Sequence, residues 1–158
     1  YERLVKAELP VLYRVARRLG ADPDEAEDLV QQTVVKAWRK WHQFDGRYLR
    51  SWLVRILRNE RLAKLRTYRP ETDTIDLLTD EPATEDFWSE VENDIEVERI
   101  FAVVAVLPEP YRLAVQLCDV EQMSYEEAAE AMDVPIGTVR SRLFRARVEI
   151  RKRLEATS

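Results

Sequence analysis

Between Ile136 and Arg153 the charged residues are Arg140, Arg142, Arg145, Arg147, Arg151, Lys152 and Arg153, with Glu149 the one acid among them. Cations crowded onto one short stretch suit phosphate oxygens, and an arginine can also read a guanine edge through two parallel hydrogen bonds. A second concentration runs from Phe44 to Arg69, where Arg47, Arg50, Arg55, Arg58, Arg61, Lys64, Arg66 and Arg69 are interleaved with Tyr48 and Trp52. Aromatic faces on which bases stack, set among cations that pair with phosphates, suit single-stranded DNA. Trp52 has a second reading, because it also falls on the apolar stripe of its segment and would there pack in a core. A third group is acidic. Asp24, Glu27, Asp28 and the amide Gln31 lie along one edge of an amphipathic segment, which is either a solvated face or a docking edge for a basic partner helix.

Groups that make and break bonds are scarce. There is one histidine, His42, and one cysteine, Cys118. Neither has partners for nucleophilic catalysis or metal binding, and one cysteine excludes an internal disulfide framework or a cysteine-rich zinc site. Twelve carboxylates fall between residues 71 and 98, but they lack ordered ligand spacing and the turn glycine of a calcium loop. No catalytic residue, metal or cofactor is expected. No apolar run approaches the length of a bilayer span and nothing at the start resembles a secretion signal, so a reducing cytoplasm is the expected setting. The chain opens at Tyr1 and not at a methionine, and a native N-terminus is expected to be missing.

The net charge of −5 argues against a nucleic-acid partner only until its distribution is considered. Residues 1–70 carry 16 Lys and Arg against 9 Asp and Glu, residues 71–98 carry no basic residue, and residues 99–158 carry 9 of each sign. Two lobes with basic segments are separated by an acidic strap, and such segregation says more than the total.

The elements that must position these groups repeat at helical spacing. Residues 3–19 place Leu4, Leu9, Leu12, Tyr13, Ala16 and Leu19 on one side, with Gly20 as the stop. Pro10 either begins the main helix or kinks it. Asp22-Pro23-Asp24-Glu25 predicts a capped helix start, and the helix to about Trp41 is expected to bury Ala26, Leu29, Val30, Thr33, Val34, Ala37 and Trp38. Asp45-Gly46 marks a turn. A third helix follows from about Leu49 to Tyr68, with Leu49, Trp52, Leu53, Ile56 and Leu57 toward the core. Pro70 to Pro82 reads as a linker. A helix start at Thr84 leads, broken or whole, to Leu107, and a short helix from Tyr111 to about Cys118 follows Pro108-Glu109-Pro110. Ser124 and Glu127 form a second capping box. Asp133-Val134-Pro135 turns the chain into a basic helix from near Gly137 to Leu154. The expected fold is all-α: two small helical domains, 1–70 and 97–158, joined by an acidic linker over 71–96.

A short helix, a tight turn and a basic helix with Val139, Leu143 and Ala146 inward make either a helix–turn–helix or a plain helical hairpin. The string Ser124-Tyr125-Glu126-Glu127-Ala128-Ala129, followed by Val134-Pro135-Ile136-Gly137-Thr138-Val139-Arg140-Ser141-Arg142-Leu143-Phe144-Arg145-Ala146-Arg147, resembles region 4 of the extracytoplasmic-function sigma factors of bacterial RNA polymerase. Leu107-Pro108 and Tyr111-Arg112 fit the same pattern. Ala26 to Thr33 is similar to region 2.2 of that family, and Phe44 to Arg69 is similar to regions 2.3 and 2.4.

The resemblance implies a function in transcription initiation. Thr138, Arg140, Ser141, Phe144 and Arg145 would face the −35 element. Arg47, Tyr48, Arg55, Arg58 and Asn59 would hold the −10 strand. Asp24, Glu27, Asp28 and Gln31 would dock on the β′ clamp helices of the polymerase core, and the C-terminal helices would also reach the β flap. It further implies promoter DNA and an anti-sigma factor as partners. The acidic linker is either a solvated tether or a strand that threads the nucleic-acid channel of the polymerase. Asp133 stands where the family often has glycine, a change that the turn tolerates. The loop from Phe44 to Leu49 is a residue shorter than is usual in the family, which leaves the −10 base preference open. A different class, a free-standing dimeric helix–turn–helix regulator, would leave the acidic edge and the basic aromatic segment without a purpose.

Overall fold

The computed structural model describes residues 1–65 and 97–156. Among them every regular element is helical. The first bundle is α1 (Glu2–Arg18), α2 (Pro23–Arg39) and α3 (Leu49–Leu65), with a one-turn 3-10 helix at Trp41–Gln43. The second is α4 (Val97–Ala105), α5 (Glu109–Val115), a π-helical turn at Gln116–Val120, α6 (Tyr125–Met132) and α7 (Ile136–Ala156). The expected helix start at Thr84, the linker over 71–96 and the end of the third helix at Tyr68 lie outside the described residues.

Local chemistry accounts for most of the boundaries. At α2 the Glu25 amide donates to Asp22 Oδ1 over 2.8 Å and the Asp22 amide donates to Glu25 Oε1 over 3.3 Å. That amide bond from Glu25 also holds the Asp22 carboxyl below its ordinary pKa. The same reciprocal box opens α6 through Ser124 and Glu127. Helix α1 stops at Gly20, whose φ of +105° is open only to glycine at little cost. Asp133 ends α6 in the left-handed region at φ 57°, a conformation that Asp adopts more readily than most residues. Pro10 lies inside α1 on its exposed side, so water can take the carbonyl left without a donor.

The expected faces need correction in two helices. On α1 the buried residues are Val5, Val11, Leu12, Val15 and Ala16, while Leu4 is 53 % exposed. The stripe is rotated toward Val5, Val11 and Val15, while Leu12 and Ala16 keep their expected places in the core. On α2 Ala26, Leu29, Thr33 and Ala37 are buried and Val30 and Val34 half-buried, but Trp38 is 66 % exposed. A single buried stripe of small residues brings α2 close to α3, and the indole is left on the opposite side. On α3 Leu53, Val54, Ile56 and Leu57 are buried; Trp52 is half-buried in an aromatic cluster, its ring 5.0 Å from Phe44 and 6.0 Å from Trp41.

The predicted helix from Tyr111 to Cys118 begins earlier, at Glu109, and widens after Val115 into the π turn. The reason lies across the bundle. The turn brings Asp119 onto Arg147 of α7, with Nη2 2.6 Å from Oδ1 and side-chain exposures of 10 % and 8 %. Burial opposes the guanidinium charge, but the bond to Asp119 outweighs it and raises the Arg147 pKa. Cys118, in the same turn, has its thiol pushed up to about 12 by burial and by Asp119.

The two bundles pack on each other. Helix α3 lies against α6, and α1 against α5 and the π turn. Arg14 donates to both carboxylate oxygens of Glu121 at 2.8 and 2.7 Å, and Gln116 Nε2 donates to the same group at 2.8 Å. Burial alone would raise the Glu121 pKa; these bonds lower it.

Removing one partner of the buried pair strands the other, so Asp119→Ala is expected to cost about 3–5 kcal/mol of stability. Urea denaturation checks this, and Asp119→Leu with Arg147→Met is expected to recover most of the loss. Glu121 has a folded pKa below its unfolded value, so its contribution is present above pH ~4.5 and is lost as pH falls through the lower folded value. Thermal melts from pH 6 downward are expected to lose less stability in Glu121→Gln than in the unaltered chain.

Candidate nucleic-acid and docking surfaces

Helix α7 owes its position to Val139, Leu143, Ala146, Ile150 and Leu154, all buried. This stripe turns the N-terminal half of the opposite face outward, where Arg140 is exposed and Thr138, Ser141, Phe144 and Arg145 are half-buried. The Arg140 guanidinium lies 5.7 Å from the ring centre of Tyr125, a cation–π contact that steers it. Arg142 Nη1 and Arg145 Nε are buried without a hydrogen-bond partner among the described residues. All five residues expected to face duplex DNA thus share one end of one helix. Arg147 does not join them. The later arginines were expected to reach phosphates, but this one is buried on Asp119 and is structural.

The second surface is the start of α3 and the loop before it. Asp45 Oδ1 accepts from the Arg47 amide at 2.9 Å, closing a tight turn with Gly46 at φ 86°. Tyr48 follows at φ 52°, a left-handed conformation uncommon for a bulky side chain and one that often marks a functional position. Its ring carries the Arg47 guanidinium at 5.2 Å. Gln43, Asp45, Arg47, Tyr48, Ser51, Trp52 and Arg55, with Glu130 from α6, line a cavity of about 200 Å³. The wall combines an aromatic edge with hydrogen-bonding groups, which can receive a planar polar ring. Arg58 and Asn59 lie one turn further along α3. Asn59 is exposed, whereas Arg58 Nε donates to Glu109 Oε1 at 2.9 Å.

The third surface is the outer face of α2. Asp24, Glu27, Asp28 and Gln31 are all exposed, and the i, i+4, i+7 spacing carries the stripe on through Val35 and Trp38, 49 % and 66 % exposed. Placing Trp38 in the core hid this extension. The signal was available in the spacing, since Gln31, Val35 and Trp38 continue the acidic edge. The stripe is therefore acidic at its N-terminal end and apolar at its C-terminal end. Aromatic residues so presented are the usual anchors of protein interfaces.

Among the described residues no group of three or more His, Cys, Asp or Glu could hold a metal ion, and no helix is long and apolar enough to cross a membrane. His42 is exposed at the 3-10 turn.

Comparison with known proteins is consistent with these surfaces. Residues 4–71 match the family model for sigma-70 region 2 and residues 98–150 match that for sigma-70 region 4. The ECF RNA polymerase sigma factor SigE of Mycolicibacterium smegmatis is 31 % identical over 96 % of this chain, which spans 60 % of that relative's length. An ECF RNA polymerase sigma-E factor of Haemophilus influenzae is 34 % identical over 84 % of the chain and 76 % of its own length. The RNA polymerase sigma-E factor of Streptomyces coelicolor is 32 % identical over 99 % of the chain and 86 % of its own length. Among solved structures, the sigma factor RpoE of Bartonella quintana, in complex with the anti-sigma factor NepR, superposes with a TM-score of 0.71 at 29 % identity over 100 % of both chains. CnrH, in complex with the cytosolic domain of CnrY, does so with a TM-score of 0.71 at 27 % identity, over 99 % of this chain and 88 % of its own. With both region models matched in order, and relatives of this group similar along nearly the whole chain, this protein belongs to the sigma-70 family, in its extracytoplasmic-function group.

Proposed function

We propose that this chain directs RNA polymerase core to a particular set of promoters, with region 2 over residues 1–70 gripping the −10 strand and region 4 over 97–158 gripping the −35 duplex. The observation that carries the reading is the basic N-terminal half of α7, turned outward by an unbroken apolar stripe within a matched region 4. The protein makes and breaks no bond of its own and works in the cytoplasm, where the polymerase is. Thr138, Arg140, Ser141, Phe144 and Arg145 contact the −35 element. Arg47, Tyr48, Arg55, Arg58 and Asn59 hold the −10 strand, with an unstacked base seated in the cavity before α3. Asp24, Glu27, Asp28 and Gln31 dock on the β′ clamp helices, joined by Val35 and Trp38, and region 4 also engages the β flap. Because one similar structure is a sigma factor held by the anti-sigma factor NepR, an anti-sigma factor is the expected regulator.

The first test is titration of the labelled chain with bacterial core polymerase, with and without a housekeeping sigma factor. Tight binding that the housekeeping factor displaces is expected, and absence of binding by a folded chain would favour a free-standing DNA-binding regulator. Asp28→Arg is expected to abolish attachment with an unchanged circular dichroism spectrum. Trp38→Ala is expected to weaken it by about 2 kcal/mol, as loss of an interface anchor does. Attachment at full strength in both variants would move the docking site off α2. Arg140→Ala and Arg145→Ala are each expected to weaken −35 binding by about 1–3 kcal/mol where a base contact is lost. Unaltered affinity and sequence preference in both would remove α7 from the −35 element.

A further inference from the structure

We propose that Tyr125 is a positioning residue for the −35 contact: its ring holds the Arg140 guanidinium in place and so sets how strictly that arginine discriminates between bases. The proposal rests on the −35 assignment of α7 made above and adds a residue of α6 to it.

Other cations of α7 are committed to carboxylates. Arg147 pairs with Asp119 at 2.6 Å and Arg153 with Glu149 at 3.0 Å. Arg140 differs. It is exposed, and among the described residues it forms no hydrogen bond or ion pair; its partner is the Tyr125 ring, 5.7 Å away at the centre. The type of partner matters. A carboxylate would occupy the in-plane N–H fork of the guanidinium and compete with paired hydrogen bonds to guanine O6 and N7. An aromatic face attracts the charge and leaves the fork free. Without any hold, a long side chain can swing to the nearest phosphate, a contact that carries no sequence information. Holding the guanidinium at one place therefore favours the base contact over the phosphate contact.

The ring is itself held in three ways. Tyr125 is the first residue of α6, directly after Ser124, so the capping box fixes its backbone. Its half-buried side chain packs against the core. It also takes part in the surroundings of the buried pair: burial opposes the Arg147 charge, Asp119 supports it most, and the Tyr125 hydroxyl adds to that support. The turn through Asp133 packs α6 on α7 and brings Tyr125 beside Arg140. One side chain thus joins the buried pair of region 4 to the exposed arginine of the reading helix, with the hydroxyl serving the first and the ring the second. The two ends can be separated by substitution.

The test assembles the full chain with bacterial core polymerase and selects bound molecules from a duplex DNA library randomised over the length of a promoter. Sequencing gives the base preference at each position. Arg140→Ala marks the position that Arg140 reads, as the one whose preference it removes. Tyr125→Leu and Tyr125→Met, two ring-free side chains that can fill the same edge of the core, are each expected to flatten that position about three- to tenfold and leave the others unchanged. Tyr125→Phe keeps the ring and is expected to keep the preference. In the Arg140→Ala background Tyr125→Leu is expected to add nothing, because the two side chains act as one unit. Full preference in both ring-free variants, equal flattening at every position, loss of the preference in Tyr125→Phe, or a further loss in the Arg140→Ala background would each overturn the positioning role. If Arg140→Ala alters no position, α7 leaves the −35 element and the role of Tyr125 goes with it.

Discussion

The arrangement of the two bundles depends on arginines that finish helices they do not belong to. A helix leaves its last four carbonyls without an intrahelical donor, and a buried carbonyl must find one. Here the donors come from outside the helix. Arg61 of α3 and Arg112 of α5 donate to the Leu19 and Arg18 carbonyls at the end of α1, each at 3.0 Å. Arg55 and Arg58 of α3 donate to Glu130 and Met132 at the end of α6. A guanidinium suits the task, because its planar fork serves two acceptors at once and its charge complements the negative end of the dipole. Three of these four caps cross from one bundle to the other, so local helix ends determine how the bundles sit. The Arg14–Glu121–Gln116 network and the stacking of Arg18 over Phe101 at 4.5 Å add to the α1 side of the seam.

The same constraint explains the mixture of burial along that seam. At its centre Ser51 and the Arg58–Glu109 pair are largely shielded, with the pair's side chains 20 % and 11 % accessible. At its edge the Tyr48–Glu126 and Arg55–Glu130 contacts are open to water. Exposed pairs contribute roughly 0–1 kcal/mol each and are screened by salt. Removing a buried partner instead leaves an uncompensated polar group. Within region 4 the balance differs. Arg147 and Asp119 are shielded on both sides by one bundle, and nothing is gained by opening that contact. Ion pairs inside a bundle hold it together, whereas ion pairs between bundles can be exchanged for other anions.

Much of this was legible in the sequence, and the parts that were not share a cause. The capping boxes at Asp22 and Ser124, the stop at Gly20 and the turn at Asp133 are encoded within a few residues, and all appear as read. The inward stripe of α7 was equally plain, because a two-sided helix on its own bundle needs no knowledge of its neighbours. Trp38 was misplaced because helical spacing reports that a residue is apolar, not which of two apolar stripes a partner within the chain covers. Arg147 was read as one cation of a basic run, since its partner Asp119 arrives through a π turn that no local pattern announces. The covering of α3 by α6 was invisible for the same reason at larger scale. Glu126, Glu127 and Glu130 read as ordinary acids of a capped helix, and only the placement of two bundles turns them toward Tyr48, Ser51 and Arg55.

The candidate site inherits a conflict that follows from its chemistry. A guanidinium on α3 that caps a helix end across the seam cannot pair with a phosphate at the same time. Any anionic strand that enters must displace carbonyls and carboxylates from Arg55 and Arg58, and those groups must then be hydrated or paired elsewhere. The cost falls mainly on the C-terminal turn of α6, where the Glu130 carbonyl would keep only the 3.4 Å bond from the Asp133 amide. Water would solvate that turn if the bundles parted, and a partner that binds one arrangement better would shift the chain toward it. A surface built from arginines that cap helices is thus poised by construction.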